Sequence, residues 1–278
     1  MSGTLNVTLA NGFVNGLGNT FQVMTYTSLS GDFATKNLPA AIATQANATN
    51  YTLLSTATVV TWDGGAGDNN WGTANNWSNN ALPGVNDDVV IPNLAGTPSI
   101  TSSGTVSVRS VTASEMINIP GGTFTVAQAS SLNAGMTLSS TLTANGTLTL
   151  SGTSTWTSGS IAGSGSVVVG SAGTLALNSS ENLWSTIAIT NQGTMTLVSG
   201  AFTQNSQTFT NSGTFELQIG LISNGTGTIV NTGTFKKTVH PGVVSISNPF
   251  NNVGGTIDVQ AGTLMLSGTG THAGGTYN

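Results

Sequence analysis

One cassette recurs along the second half of the chain: an apolar residue, a spacer, then Asn-x-Gly-Thr-apolar-x-apolar. It reads Ile189-Thr190-Asn191-Gln192-Gly193-Thr194-Met195-Thr196-Leu197, then Phe209-Thr210-Asn211-Ser212-Gly213-Thr214-Phe215-Glu216-Leu217, then Ile229-Val230-Asn231-Thr232-Gly233-Thr234-Phe235. The Gly-Thr pairs begin at 173, 193, 213 and 233, then at 255. A period of about 20 residues lies in the range of solenoid repeats.

Within each copy alternate residues are apolar: Leu175 and Leu177, Met195 and Leu197, Phe215 and Leu217, Ile257 and Val259. That is strand periodicity, and helical spacing is absent. Gly, Asn and Ser bound the strands and tolerate the backbone of tight turns. A single copy cannot bury its apolar side, whereas stacked copies can, each strand pairing with its equivalent above and below at about 4.8 Å per rung. The spacing therefore predicts an inward column of Leu175, Met195, Phe215 and Phe235, and a turn column of Asn191, Asn211 and Asn231 whose amides bond to one another, as in cross-β stacks. Gly122-Thr123 and Gly146-Thr147 are spaced less regularly, which predicts loops on the early rungs; Gly262-Thr263 and Gly275-Thr276-Tyr277 carry the pattern to the last residue. The general rule for parallel crossovers makes such a stack right-handed.

Composition narrows the function. Charged residues are 5% of the 278-residue chain, against about 25% in ordinary globular proteins. A net charge of −5, with Lys36, Arg109, Lys236 and Lys237 as the cations, offers no basic face to nucleic acid or anionic lipid. Hydrophobic content of 37% argues against disorder. Cysteine is absent, which removes disulfides, thiolate metal sites and thiol nucleophiles. No apolar run is long enough to span a bilayer. Met1-Ser2-Gly3-Thr4 does not open a signal peptide, so an exported chain would use a removed segment or another route.

Three regions follow. Residues 1–56 read as a small β segment, a closing or assembly element, with strands at Gly3–Leu9, Thr20–Tyr26 and Tyr51–Leu54, turn residues at Asn15-Gly16-Leu17-Gly18-Asn19, and helical propensity only over Leu38–Ala48. Residues 57–94 hold Trp62, Trp71 and Trp77 among Gly and Asn, which predicts a compact plug over the first rung with its indole N–H groups partnered. Residues 95–278 form the stack, with room for eight or nine rungs rising about 40 Å. The stretch from Trp62 to Ile91 followed by Asn-x-Gly-Thr rungs resembles the repeating units of large bacterial surface and secreted β-solenoid proteins, of the adhesin and autotransporter-passenger type. The stretch from Gly3 through Phe21–Tyr26 to Ala34 resembles what closes such a unit, here placed before the rungs. The resemblance implies an extracellular, cell-surface location in bacteria.

Catalytic chemistry has few carriers. The stack offers Glu115, Glu181, Glu216 and Asp258, scattered among rung positions, with Glu216 facing solvent; a polysaccharide-degrading enzyme needs two carboxylates on one face. His240 and His272 read as loop residues, and Lys236-Lys237 as a local bulge or solvent-facing side. Asp63-Gly64-Gly65-Ala66-Gly67-Asp68-Asn69 is similar to a glycine-rich calcium turn that Asp87 and Asp88 could join, but it occurs once, so no cofactor is expected and structural calcium is the alternative. Trp156 and Trp184 are the candidate glycan contacts if exposed. Sequons at Asn6, Asn47, Asn50, Asn145 and Asn224 arise readily in so Asn- and Thr-rich a chain.

The expectation is an all-β, right-handed parallel β-solenoid with a Trp-rich N-terminal cap. It would serve as a non-catalytic structural unit of an extracellular filament or adhesin, pairing with copies of itself head to tail or as tandem units of a longer chain. The alternatives are a carbohydrate-binding adhesive module and, more remotely, a polysaccharide-degrading β-helix enzyme.

Overall fold

The computed structural model describes residues 2–9, 18–39, 41–219, 221–222 and 225–278. The turn at Asn15-Gly16-Leu17 and the sequon at Asn224 lie outside them. From Thr58 onward the chain is a parallel β-solenoid of about nine turns. Each turn has three faces. The first is an 11-stranded sheet running from Thr58–Thr61 to His272–Ala273. The second belongs to a 15-stranded sheet and runs from Ile100–Thr101 to Thr276–Tyr277. The third starts at Val106–Val108 and continues through Thr123–Val126, Thr141–Ala144 and Ser160–Ala162. It ends with Val243–Ile246 beside Thr263–Leu266. Thr174–Ser185 and Thr194–Gln204 each run through the second and third faces without a break.

Alternation buries one side of the solenoid strands before the last turn in a single apolar core that extends from Val60 to Ile257. The predicted inward column is present: Leu175 pairs with Met195, Met195 with Phe215, and Phe215 with Phe235, and Ile257 continues it. Phe215 and Phe235 stack with centroids 5.0 Å apart. Other rings extend this contact edge-on, from Phe209 at 5.3 Å to Phe250 at 5.2 Å. At the corner before the second face, Gly193, Gly213 and Gly233 lie on one another so closely that a Cβ on any of them would meet a carbonyl oxygen of the rung below at 2.2–2.3 Å. The recurring glycine is thus a packing requirement.

The Gly-Thr pairs do not all belong to one ladder. Thr174, Thr194, Thr214, Thr234, Thr256 and Thr276 are in register on the second face. Thr147 starts a strand of the first face, and Thr123 and Thr263 start strands of the third. Every corner turns by the same chemistry, so one dipeptide marks three different corners, and the uneven early spacing reflects a change of face.

Lys236 and Lys237 are not a bulge. The register Glu216–Lys236–Asp258 and Leu217–Lys237–Val259 is regular. Lys236 points outward, with its Nζ 3.0 Å from Glu216 Oε2. Lys237 occupies an inward position where Leu197 and Leu217 stand in earlier rungs, and is fully buried. Its ammonium donates to the carbonyl oxygens of His240 and Ala261, which supply the acceptors a buried cation requires.

Among its described residues the N-terminal segment contains no helix. Ile42–Ala46 is a strand, antiparallel to Asn50–Ser55, which also pairs with Thr20–Thr25 on its other side. The Asn47 N–H bonds to the Asn50 carbonyl at 2.8 Å and closes the hairpin; this pairing overrides the weak helical propensity of Leu38–Ala48. Thr4–Asn6 pairs in parallel with Thr35–Asn37. Tyr51 is buried, donating its hydroxyl to Asp32 at 2.7 Å and packing edge-on against Phe33. Ile42, Tyr51 and Leu53 are buried apart from the solenoid core.

Candidate interaction surfaces

The rod presents three regions that could do chemistry or bind: the capped first turn, the side of the stack, and the last turn. The cap is built by the three early tryptophans. Trp62 and Trp77 meet edge-on at 4.9 Å, Trp71 meets Trp77 at 4.7 Å, and Trp71 reaches Phe124 on the third face at 5.2 Å. Trp77 Nε1 donates to the Trp71 carbonyl at 2.9 Å, but Trp62 Nε1 is buried without a partner, so only part of the expected N–H satisfaction is met. Sequence reasoning missed the hub. The buried Asn76 amide donates to Asp68 at 2.6 Å and to the Asn70 carbonyl at 3.0 Å, and accepts from Ala66 N–H at 2.9 Å. An Asn beside a Trp in an Asn-rich loop carries no pattern that singles it out.

The acidic residues proposed for calcium are spread among separate local partners. Asp63 accepts from Gly65 N–H, and Asp68 accepts from Asn70 N–H, Thr73 and Asn76. The Thr73 hydroxyl, the Asn70 N–H and the Asn76 amide hold the Asp68 carboxyl below its ordinary range. Asp87 bonds to Thr58 and to Gly84 N–H, and Asp88 to Arg109 and Ser110. Among the described residues no three His, Asp or Glu side chains gather as a metal site.

Along the stack, the Asn column lies at the ends of first-face strands and points inward. Nδ2 of Asn191, Asn211 and Asn231 donates to Oδ1 of Asn211, Asn231 and Asn252 at 2.7, 2.7 and 2.8 Å. The same Nδ2 atoms bond to the carbonyls of Thr214, Thr234 and Thr256 at 2.8, 2.9 and 3.2 Å, which stitches the first face to the second. Asn252 is a fourth member that the cassette did not reveal, because Asn252-Val253-Gly254-Gly255 lacks the usual spacing. The first member, Asn191, pairs with Val169 on the preceding rung, and its Oδ1 has no partner.

Glu216 and Asp258 share one outward column with Lys236 between them, a placement more ordered than the scatter expected from sequence. Burial pushes the Glu216 carboxyl up, but hydrogen bonds from Gln218, Lys236 and Thr238 outweigh it and leave the group below the usual glutamate range. Glu115 is buried at a corner, accepting from Leu94 N–H at 2.6 Å. His240 accepts from Gly242 N–H. His272 is a strand residue rather than a loop residue, stacked on Phe250 and hydrogen-bonded to Tyr277.

The two glycan candidates separate. Trp156 is fully buried, packs on Phe202 at 6.2 Å and donates Nε1 to the Ser158 carbonyl at 2.8 Å. It falls on an inward position of its strand and cannot present its ring. Trp184 falls on an outward position of the third face and is 47% exposed. Beside it the strand bulges: Ser179, Ser180 and Glu181 are spanned by Gly200 alone on the next rung.

The last turn is open. Thr263–Leu266, His272–Ala273 and Thr276–Tyr277 each form the outer edge of their sheet. Thr263 and Ser267 donate back to Gly242 and Ile246 at 3.2 and 2.9 Å, and Thr276 and Asn278 to Gly255 and Ile257 at 3.0 and 2.9 Å. By alternation the N–H groups of Leu264, Leu266 and Tyr277 point away from the stack. Leu264 and Leu266 continue the core but are only partly covered, and Tyr277 is 54% exposed.

Compared with protein-family models, curated proteins and solved structures, the chain gives no match.

Proposed function

We propose that this protein is a non-catalytic structural unit of an extracellular filament or surface adhesin of a bacterium, extended by end-to-end contact between solenoid units. The observation that carries the reading is the last described turn, whose strand edges can receive a further rung from a tandem unit or from another copy. Three strand edges, with outward N–H groups at Leu264, Leu266 and Tyr277, surround a half-covered apolar end. Such edges pair readily with another strand. The opposite end differs, because the Trp plug covers it.

The N-terminal sheet offers the complementary element. Among the described residues, Thr20–Thr25 and Ile42–Ala46 each pair on one side only, and Val23 and Met24 expose apolar side chains. Contact between this sheet and the open turn of another copy is heterologous, and a heterologous contact whose rotation does not close a ring propagates as a fibre. The sparse charge of the chain leaves little repulsion between units.

Leu266→Pro tests the reading. Its N–H points outward, so proline removes no bond within the turn but blocks a following strand. In sedimentation velocity the parent chain is expected to shift to larger species with concentration, and the variant to stay monomeric. A parent chain that remains monomeric at every concentration would count against end-to-end assembly.

A further inference from the structure

On the early rungs of the third face one column of outward positions carries small hydroxyl residues, and Trp184 interrupts it. In register along one column stand Thr123, Thr141, Ser160 and then Trp184, with Thr203 on the next rung. Three small hydroxyl residues precede the largest side chain available, and a fourth follows it. Of the five tryptophans, Trp62, Trp71, Trp77 and Trp156 are buried and Trp184 alone is exposed. Its flat ring therefore contributes surface rather than core.

The surroundings of the ring are polar. Asn182 lies two residues before Trp184 on the same side of the strand, about 7 Å away, and Thr186 lies two residues after; both are exposed. The bulge at Ser179–Glu181 opens a shallow groove lined by Ser180, Glu181, Asn182, Gly200 and Ala201. Ser179 Oγ accepts from Glu181 N–H at 3.0 Å and fixes the bulge, while Ser180 and Glu181 remain exposed. The result is one apolar plane followed along the same strand by an amide, a carboxylate and a hydroxyl, over about 13 Å of strand.

We infer that Trp184 and the Ser180–Asn182 groove form a binding site for a neutral glycan. The indole would stack on the C–H face of a pyranose ring, and Asn182, Glu181 and Ser180 would bond to hydroxyls of the same or the next residue. The ligand class follows from this pairing of surfaces. A stable protein–protein contact covers about 800 Å² per partner around an apolar centre, but here the apolar surface is a single ring encircled by hydroxyl and amide groups. The ionisable group in the groove is Glu181, on a chain of net charge −5, which disfavours an anionic polymer. A pyranose, with one apolar face and a rim of hydroxyls, matches both parts. The site lies on the side of the rod, so end-to-end assembly would leave it open and repeat it along a fibre.

Affinity electrophoresis of the full-length chain tests this, in native gels containing hydroxyethylcellulose, galactomannan or arabinoxylan. The parent chain should be retarded by at least one of these polymers. Trp184→Ala should weaken retardation at least tenfold, and Trp184→Phe, which keeps a stacking ring, should retain part of it. Binding should also quench the fluorescence of the one exposed tryptophan, so acrylamide access to Trp184 falls in the complex. No retardation by any of the three polymers overturns the inference. So does equal retardation of parent and Trp184→Ala, or a Trp184→Ala variant that changes only self-association in sedimentation velocity.

Discussion

Asn211 Nδ2 donates to Asn231 Oδ1 at 2.7 Å in a fully buried corner of the rod, and the same nitrogen bonds to the Thr234 carbonyl at 2.9 Å. One amide thus ties two rungs and two faces. An aspartate at this position keeps the shape but has acceptors only, so Asn211→Asp sets a carboxylate against Asn231 Oδ1 and the Thr234 carbonyl. Asn211→Asp is expected to lose more stability than Asn211→Ala, which costs about 2–4 kcal/mol through the polar groups left unpaired. Urea denaturation of the two variants against the parent measures the order.

The first amide of the ladder predicts an unusual tolerance. Asn191 Oδ1 lacks a donor, and the residue facing it across the rung is Val169. Val169→Asn would supply that donor. Val167, on the same strand and equally buried, faces Leu148 and Ile189. Val169→Asn should therefore be less destabilising than Val167→Asn by about 2 kcal/mol. Equal losses on thermal denaturation would contradict the ladder's assignment of donors and acceptors.

The glycine column gives a steric test. A Cβ at Gly213 would fall 2.2 Å from the Gly193 carbonyl oxygen, which is backbone and cannot swing aside. Gly213→Ala should cost about 1–3 kcal/mol by overpacking. Gly67→Ala serves as a contrast: a Cβ there meets nothing within 4 Å, and its cost comes from a φ of +72° alone. Differential scanning calorimetry of both variants should show the larger loss at Gly213.

Strong acid should release the contacts that Asp32 makes with Lys36 and Tyr51 in the N-terminal segment. Hydrogen bonds from Lys36, from Tyr51 and from Phe33 N–H lower the Asp32 pKa to about 2. A carboxyl depressed on folding adds stability above its unfolded pKa, about 3.9, and that stability is lost as pH falls through the folded value. The environment of Tyr51, followed by NMR or tyrosine fluorescence, should change between about pH 4 and pH 2. Asp32→Asn should abolish that dependence.

Much of this architecture was legible because a solenoid repeats its errors and its rules alike. Alternation in Thr194–Leu197 and Thr214–Leu217 identified the inward column, and the Asn-x-Gly-Thr spacing identified Asn191, Asn211 and Asn231 as a ladder. What the pattern hid was the face on which each copy lies, since Thr123, Thr147 and Thr174 follow the same corner glycine onto three different faces. Lys237 was misread because charge argues for solvent, whereas two backbone carbonyls at the adjoining loop accept its ammonium inside the stack. The strand at Ile42–Ala46 depends on pairing with Asn50–Ser55, information that local propensity does not contain. Trp156 and Trp184 looked alike in sequence; only the parity of each within its strand separates the buried ring from the exposed one.

Electron microscopy of the purified chain at rising concentration, beside the same chain lacking residues 1–56, tests the central claim most directly. The account predicts fibres of stacked units from the intact chain and single short rods from the truncated one. Single rods from both, or fibres from both, would contradict it.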